Sequence, residues 1–161
     1  MTAGSKQEVY QTVSREIMAV LEGEANVTAR MATVNSLLSQ AFNRFDWTGF
    51  YIVDPAKADE LIVGPYQGTL GCLRIPFGKG VCGTAAAERK TQIVDDVLAI
   101  ENHIVCDVNA RSEIVVPVLD KDNNLIAVLD VDSYQPGAFD EMDKEHLEAL
   151  LKQVFASQEG S

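Results

Sequence analysis

The 161-residue sequence lacks the features that mark membrane, secreted and nucleic-acid-binding proteins. It has no apolar run long enough to span a bilayer, and no apolar stretch behind a basic start at its N-terminus. Basic residues are also few: 13 Lys and Arg stand against 24 Asp and Glu, which gives a formal net charge of −11. This balance argues against a nucleic-acid partner, because phosphate binding requires clustered lysine and arginine. We therefore expect a cytoplasmic protein that binds neither membrane nor nucleic acid.

Cysteine is scarce as well. Only Cys72, Cys82 and Cys106 occur, and no Cys-x-x-Cys pair is present. His103 lies three residues before Cys106 and suggests a metal pair, but the other cysteines are too far along the chain for a zinc motif, so we expect no metal. An odd number of cysteines does not suit a structural disulfide framework, and the cytosol keeps thiols reduced. We expect any disulfide here to be transient and catalytic, although a lone cysteine is more often a small buried apolar residue.

The length and the 47% hydrophobic composition suit one domain over residues 1–161. Apolar residues recur at helical spacing in about 6–43 and again in about 140–157, and about 46–133 reads as a sheet with active-site loops. This order predicts an α+β fold with a central antiparallel sheet and helices packed mainly on one face.

Short apolar and aromatic runs divide the central region. We predict strands at 47–53, 60–66 and 67–75, a short helix at 81–89, and strands at 113–119 and 125–131. The segment 95–111 has no clean period, and irregular segments of this length in small domains are usually lids or binding loops.

Acidic residues surround the last cysteine in the sequence. Asp107 adjoins Cys106, Glu113 follows, and Asp130 and Asp132 stand two apart on a predicted strand, so that their side chains share one face. Crowded carboxyls raise one another's pKa, and such a cluster can hold a proton near neutral pH. Thiols with convergent acids suggest redox chemistry on a small polar substrate. The competing interpretation places the aspartates on the solvated face of an edge strand.

Several motifs in fixed order resemble those of the free methionine-(R)-sulfoxide reductases, a GAF-domain enzyme family. The resemblance covers roughly residues 30–155 and rests on Phe45–Tyr51, Gly64–Gly68, Gly78–Ala85, His103–Asp107, Arg111–Pro117 and Val128–Ser133. The chain departs from the family pattern at Leu98–Asn102, where the family more often has a histidine and a Pro-Gly pair.

The resemblance implies a role for each candidate residue. Cys106 would be the attacking cysteine, and Cys82 and Cys72 would be resolving thiols. Trp47 and Tyr51 would form the walls of the substrate pocket. Glu113, Asp130 and Asp132 would form its acidic floor, and Asp107 would bind substrate beside the nucleophile. Backbone N–H groups before Cys106 would meet the substrate carboxylate. Without the motif, the two aromatic residues would be read as core side chains.

The implied activity is thiol-dependent reduction of free L-methionine-(R)-sulfoxide. Sulfoxide reduction needs a nucleophilic thiol at sulfur and an acid near oxygen, and cysteine with carboxyls supplies both. The resulting sulfenic acid would condense to an intramolecular disulfide, which thioredoxin would reduce, with no cofactor. We favour Cys82 over Cys72 as resolving thiol, because a helix N-terminus favours thiolate.

The alternative to an enzyme is a GAF module that senses a small molecule without turnover. The absence of an output domain in the chain favours the enzyme, by analogy only. The sequence leaves the oligomeric state open, with a homodimer as one arrangement.

Overall fold

The computed structural model describes residues 3–104 and 106–156, with only the backbone of residues 3 and 4. Four helices and six strands are formed: α1 Ala3–Val20, α2 Val27–Ala41, β1 Trp47–Asp54, β2 Lys57–Gln67, β3 Arg74–Pro76, α3 Gly80–Glu88, β4 Gln92–Val94, β5 Ser112–Leu119, β6 Leu125–Ser133 and α4 Glu141–Leu151. A 3-10 turn at Val97–Ala99 interrupts the segment 95–111, and a π-helical turn at Lys152–Ala156 follows α4. Residue 157, at the end of the predicted C-terminal helix, lies outside the described residues.

The six strands form one sheet in the order β3-β2-β1-β6-β5-β4, and every neighbouring pair is antiparallel. The predicted α+β class with a central antiparallel sheet is confirmed. β6 lies inside the sheet between β1 and β5, so the interpretation of its two aspartates as an edge-strand face is wrong.

Alternation along the strands gives the sheet two different faces. The first, which we call the helix face, packs Phe50, Ile114 and Leu129 against apolar side chains of α1, α2 and α4. The second, the site face, packs Val115 and Val128 under α3. Three of the four helices therefore cover one face, as predicted.

The predicted third strand at 67–75 is wrong over most of its length: Gln67 ends β2, Arg74 and Ile75 belong to β3, and residues 68–73 between them form a loop. The loop crosses directly over the aromatic side chains of β1. A Cβ on Gly71 would lie 2.8 Å from a ring carbon of Trp47 and 3.1 Å from the Tyr51 hydroxyl. Glycine permits this close approach, and the loop brings Cys72 toward the site face.

No helix within the described residues has the length and apolarity required to cross a membrane.

Candidate active site

The floor of the site follows from the register of the three central strands. Trp47 on β1 pairs with Asp132 on β6, and Asp132 pairs with Glu113 on β5. Asp130 is two residues from Asp132 and pairs with Gly49. Side chains paired across strands share a face, so the sheet brings the three predicted carboxyls together under α3.

These carboxyls are crowded and shielded from water. Glu113 is 6% and Asp130 4% exposed, and Asp132 is half-buried. Burial raises the pKa of all three well above the ordinary carboxyl range, and the charge of a neighbouring carboxylate adds to the effect for each. The group therefore retains protons at pH values where isolated carboxyls are ionised.

Within the part of the chain that the structure describes, no cation forms an ion pair with the floor. The ion pairs formed by the described residues leave all three carboxyls out, and Asp130 Oδ1 has no hydrogen-bond partner among those residues. Donor atoms of Cys82, Glu113 and Asp130 lie within 4.8 Å of one another. This spacing suits either a metal ion or a compact organic cation.

Aromatic side chains form one wall. Trp47 and Tyr51 are both buried, and their rings stack with centroids 5.7 Å apart. Indole Nε1 of Trp47 donates a hydrogen bond to the Thr69 carbonyl at 2.7 Å, which ties the wall to the loop that carries Cys72. Burial, followed by the charge of Asp130, raises the pKa of Tyr51. The two residues are thus core aromatics that also line the cavity.

A disulfide joins Cys72 to Cys106 above this floor, with their Cα atoms 5.3 Å apart. The sequence-based preference for Cys82 as the partner of Cys106 is therefore wrong for this state of the protein. Cys82 lies on the buried side of α3, and its thiol donates to Glu113 Oε2 at 3.9 Å. The loop 68–73 brings Cys72 across the sheet to Cys106, a contact that the linear sequence does not reveal.

The reason given for preferring Cys82 also fails. The residue is near the start of α3, as predicted, but burial and the charges of Asp130 and Glu113 raise the pKa of its thiol well above the ordinary value. At this position desolvation and nearby negative charge outweigh the helix dipole, whose effect is small and confined to the first turn.

Asp107 anchors the loop that carries Cys106. Its Oδ2 accepts hydrogen bonds from the Tyr134 hydroxyl at 2.7 Å and the Thr69 hydroxyl at 3.2 Å, and its Oδ1 accepts from the Asn109 N–H at 2.9 Å. Burial alone would raise the pKa of Asp107, but these hydrogen bonds outweigh it and lower the pKa. Asp107 lines the cavity with its oxygens already engaged, so its predicted contact with substrate stays a prediction.

The cavity is small in this disulfide-bonded state. Its volume is about 40 Å³, which is room for a few water molecules. His103 also lines it, and burial lowers the pKa of that imidazole. Sequence reasoning missed several further lining residues, which are Leu70, Gly71, Ile75, Lys79, Gly80, Val81, Ile104 and Ala110. Most of these residues lie within a few positions of a cysteine, which is the signal that could have identified them.

Residues 24–155 match the family described as GAF domain. The chain is 39% identical over 150 residues to the free methionine-R-sulfoxide reductase of Escherichia coli, an alignment that covers 93% of this chain and 88% of that protein. It is 38% identical over 154 residues to the protein of the same name from Saccharomyces cerevisiae, covering 93% and 86%. The chain belongs to the free methionine-R-sulfoxide reductase family of GAF domains.

The fold agrees with a solved member of the free methionine-R-sulfoxide reductase family. The X-ray structure of the Neisseria meningitidis enzyme in complex with its substrate is 42% identical to this chain, with a TM-score of 0.87 and coverage of 96% of this chain and 89% of that one.

One residue of the segment that departs from the family pattern forms a clamp. The Asn102 side chain accepts a hydrogen bond from the Gly80 N–H at 3.0 Å and donates to the Gly78 carbonyl at 3.0 Å. Gly80 has φ +64°, and a Cβ there would lie 3.1 Å from Ile104, so glycine suits the position. Asn102 thus fastens the segment 95–111 to the start of α3.

Proposed function

We propose that this chain reduces the (R)-sulfoxide of free L-methionine to methionine with thiols as the reductant. The observation that carries the proposal is the Cys72–Cys106 disulfide, which lies over a cavity floored by three carboxyls of raised pKa. Relatives that bear this activity in their names add support, since they align over nearly the whole chain.

The floor supports binding of an amino acid rather than a protein segment. A free amino acid brings an ammonium group, which is the cation that Glu113, Asp130 and Asp132 lack. An ammonium donates three hydrogen bonds, and the unpartnered Asp130 Oδ1 is an acceptor for one of them. Backbone N–H groups before Cys106 would receive the substrate carboxylate, although Val105 lies outside the described residues.

The carboxyl with the retained proton would supply the acid. In the first step, Cys106 Sγ attacks the sulfoxide sulfur while a floor carboxyl protonates the sulfoxide oxygen. The oxygen is then transferred to Cys106 as a sulfenic acid, and methionine leaves. In the second step, the Cys72 thiol attacks Cys106 Sγ, which forms the disulfide and releases water. A dithiol protein of the thioredoxin class then takes up the oxidising equivalents by thiol–disulfide exchange.

The small cavity corresponds to the end of this cycle. A space for a few waters does not accommodate methionine sulfoxide, so the disulfide-bonded protein is closed to substrate. Reduction would separate Cys72 from Cys106 and allow the segment 95–111 to move away from the floor.

Turnover of separated sulfoxide epimers tests the proposal and distinguishes the enzyme from a small-molecule sensor. Reduced protein without added reductant should release about one equivalent of methionine from the R epimer and almost none from the S epimer, because one protein holds one nucleophile. Peptide mapping should then find Cys72 linked to Cys106. Absence of methionine release from both epimers, with or without dithiothreitol, would contradict the proposal.

Two cysteine variants assign the resolving thiol. Cys72→Ser should complete one turnover and accumulate a sulfenic acid that dimedone traps, because the partner thiol is missing. Cys82→Ser should still form the disulfide. If Cys82→Ser accumulates the sulfenic acid and Cys72→Ser does not, the resolving role belongs to Cys82.

A further inference from the structure

Large apolar side chains are exposed around the disulfide. Leu70 is 82%, Leu73 68%, Val108 74% and Tyr134 37% exposed. We call these four residues the rim. Leu73 directly follows Cys72, Leu70 precedes it by two residues, and Val108 follows Cys106 by two. Tyr134 reaches the same place through its hydrogen bond to Asp107.

The rim residues lie close together although they come from three parts of the chain. The cysteine Cα atoms are 5.3 Å apart, and consecutive Cα atoms are separated by about 3.8 Å. Leu70, Leu73 and Val108 therefore have their Cα atoms within about 8 Å of a disulfide cysteine. Cys106 itself is exposed and Cys72 is half-buried, so the disulfide reaches the surface inside this apolar border.

Exposed large apolar side chains are concentrated at the rim. Beyond the rim, the large exposed apolar side chains of the described residues are Val20 and Val27 at the α1–α2 connection and Leu98 in the segment 95–111. Clustered apolar exposure in a strongly acidic protein marks a surface that another protein covers for part of the time.

We propose that the rim is the docking surface for a protein dithiol reductant of the thioredoxin class. The inference rests on the proposed function only for the statement that the disulfide is recycled in catalysis. Thiol–disulfide exchange requires the attacking thiolate to reach a sulfur atom of the disulfide. A protein that brings a thiolate to Cys106 or Cys72 must therefore lie against the rim, and an apolar border lets it bind there without strict hydrogen-bond geometry.

A small rim suits a partner that must leave after each cycle. Transient redox complexes have small interfaces, in which a few central apolar side chains contribute much of the binding free energy. A small dithiol such as dithiothreitol reaches the same sulfur without covering the rim. The two reductants should therefore respond differently to substitutions at the rim.

The test follows reduction of the oxidised protein directly and needs no methionine sulfoxide, so failure of the proposed function does not affect it. The variant is Leu73→Ser/Val108→Ser, since neither residue lines the cavity. We expect the second-order rate constant for reduction by thioredoxin to fall about tenfold, and the constant for dithiothreitol to change by less than about twofold. The control is Val20→Ser/Val27→Ser, which also replaces two exposed apolar residues by serine but at the α1–α2 connection, outside the rim.

Thermal unfolding of all three proteins establishes that the rim variant is folded. A thioredoxin rate equal to that of the unsubstituted protein would overturn the inference. An equal decrease in the rate constants for thioredoxin and dithiothreitol would also overturn it, because the substitutions would then act on the disulfide itself. An equal decrease in the thioredoxin rate constant of the control variant would overturn it as well. Failure of thioredoxin to reduce the unsubstituted protein would also overturn it.

Discussion

Both sides of the central sheet bury carboxyl groups, but in opposite surroundings. On the side of the helix face, Asp143 is 1% exposed and accepts hydrogen bonds from the Lys6 ammonium at 2.8 Å and the Tyr10 hydroxyl at 2.6 Å. On the site face, Asp130 is 4% exposed, has an oxygen without a partner among the described residues, and is surrounded by further acids and a thiol.

The difference separates a structural carboxylate from one that is ready for a ligand. Buried charge normally carries its counter-ion within the protein, as Asp143 does through Lys6. The site-face carboxyls have raised pKa values instead, because they are buried beside one another and no ion pair of the described residues includes them. The same strands therefore provide stability through one set of side chains and, in the proposed function, bind substrate through the alternate set.

The largest effect should come from Cys106→Ser, which removes the proposed nucleophile of the site face. Methionine release should fall to background, because serine is nearly isosteric but a far weaker nucleophile. Thermal unfolding should show an intact fold. Normal multiple turnover by this variant would remove Cys106 from the mechanism.

Leu129→Ala tests the opposite side, because Leu129 is fully buried on the helix face beside Asp130 in sequence. The free energy of unfolding should fall by about 2–5 kcal/mol through lost apolar burial and a residual cavity. Activity per folded molecule should be nearly unchanged at low temperature. A large loss of kcat with little change in stability would show that the two faces are not functionally separate.

Asp130→Asn makes a nearly isosteric change one residue away on the site face. We expect kcat/KM to fall by about 10- to 100-fold, since the substrate ammonium loses a charge-assisted contact. Denaturant unfolding should show unchanged or increased stability, because a buried carboxyl without a counter-ion opposes folding. A loss of stability as large as that of Leu129→Ala would mean that Asp130 is a structural residue.

The pH dependence of the free energy of unfolding should show a smaller effect, which also originates in the buried carboxyls of the site face. The pKa values of Glu113, Asp130 and Asp132 are raised on folding, so above the ordinary carboxyl range the native state binds more protons than the unfolded chain. Their contribution to the free energy of unfolding is complete at low pH and declines as pH rises through the raised values. Asp130→Asn should weaken this decline relative to the unsubstituted protein, and Leu129→Ala should leave it in place. An unchanged slope in Asp130→Asn would contradict the raised pKa of Asp130.

Local patterns in the sequence predicted the parts of the molecule that depend on strand periodicity. The shared face of Asp130 and Asp132 follows from their spacing of two, and the β5–β6 hairpin adds Glu113 to the same face. The helix-covered face follows from the repeating apolar residues of α1 and α2.

Contacts between loops could not be predicted in this way. Cys72 and Cys106 are separated by 34 residues and meet only because the loop 68–73 crosses the Trp47 ring. The hydrogen bond from Tyr134 to Asp107 likewise joins segments 27 residues apart. Neither contact has a periodic signal in the sequence, so the pairing of Cys72 with Cys106 became visible only in the three-dimensional structure.

The most direct test of a closed, acidic, amino-acid-binding site compares kcat/KM for free methionine (R)-sulfoxide with that for its N-acetyl derivative at one pH. Acetylation removes the ammonium charge and leaves the sulfoxide unchanged, so the floor carboxyls would be left without their cation. We predict a decrease of about 100-fold or more for the acetylated compound. Equal values for the two compounds would contradict the account and indicate an enzyme that accepts methionine sulfoxide within proteins.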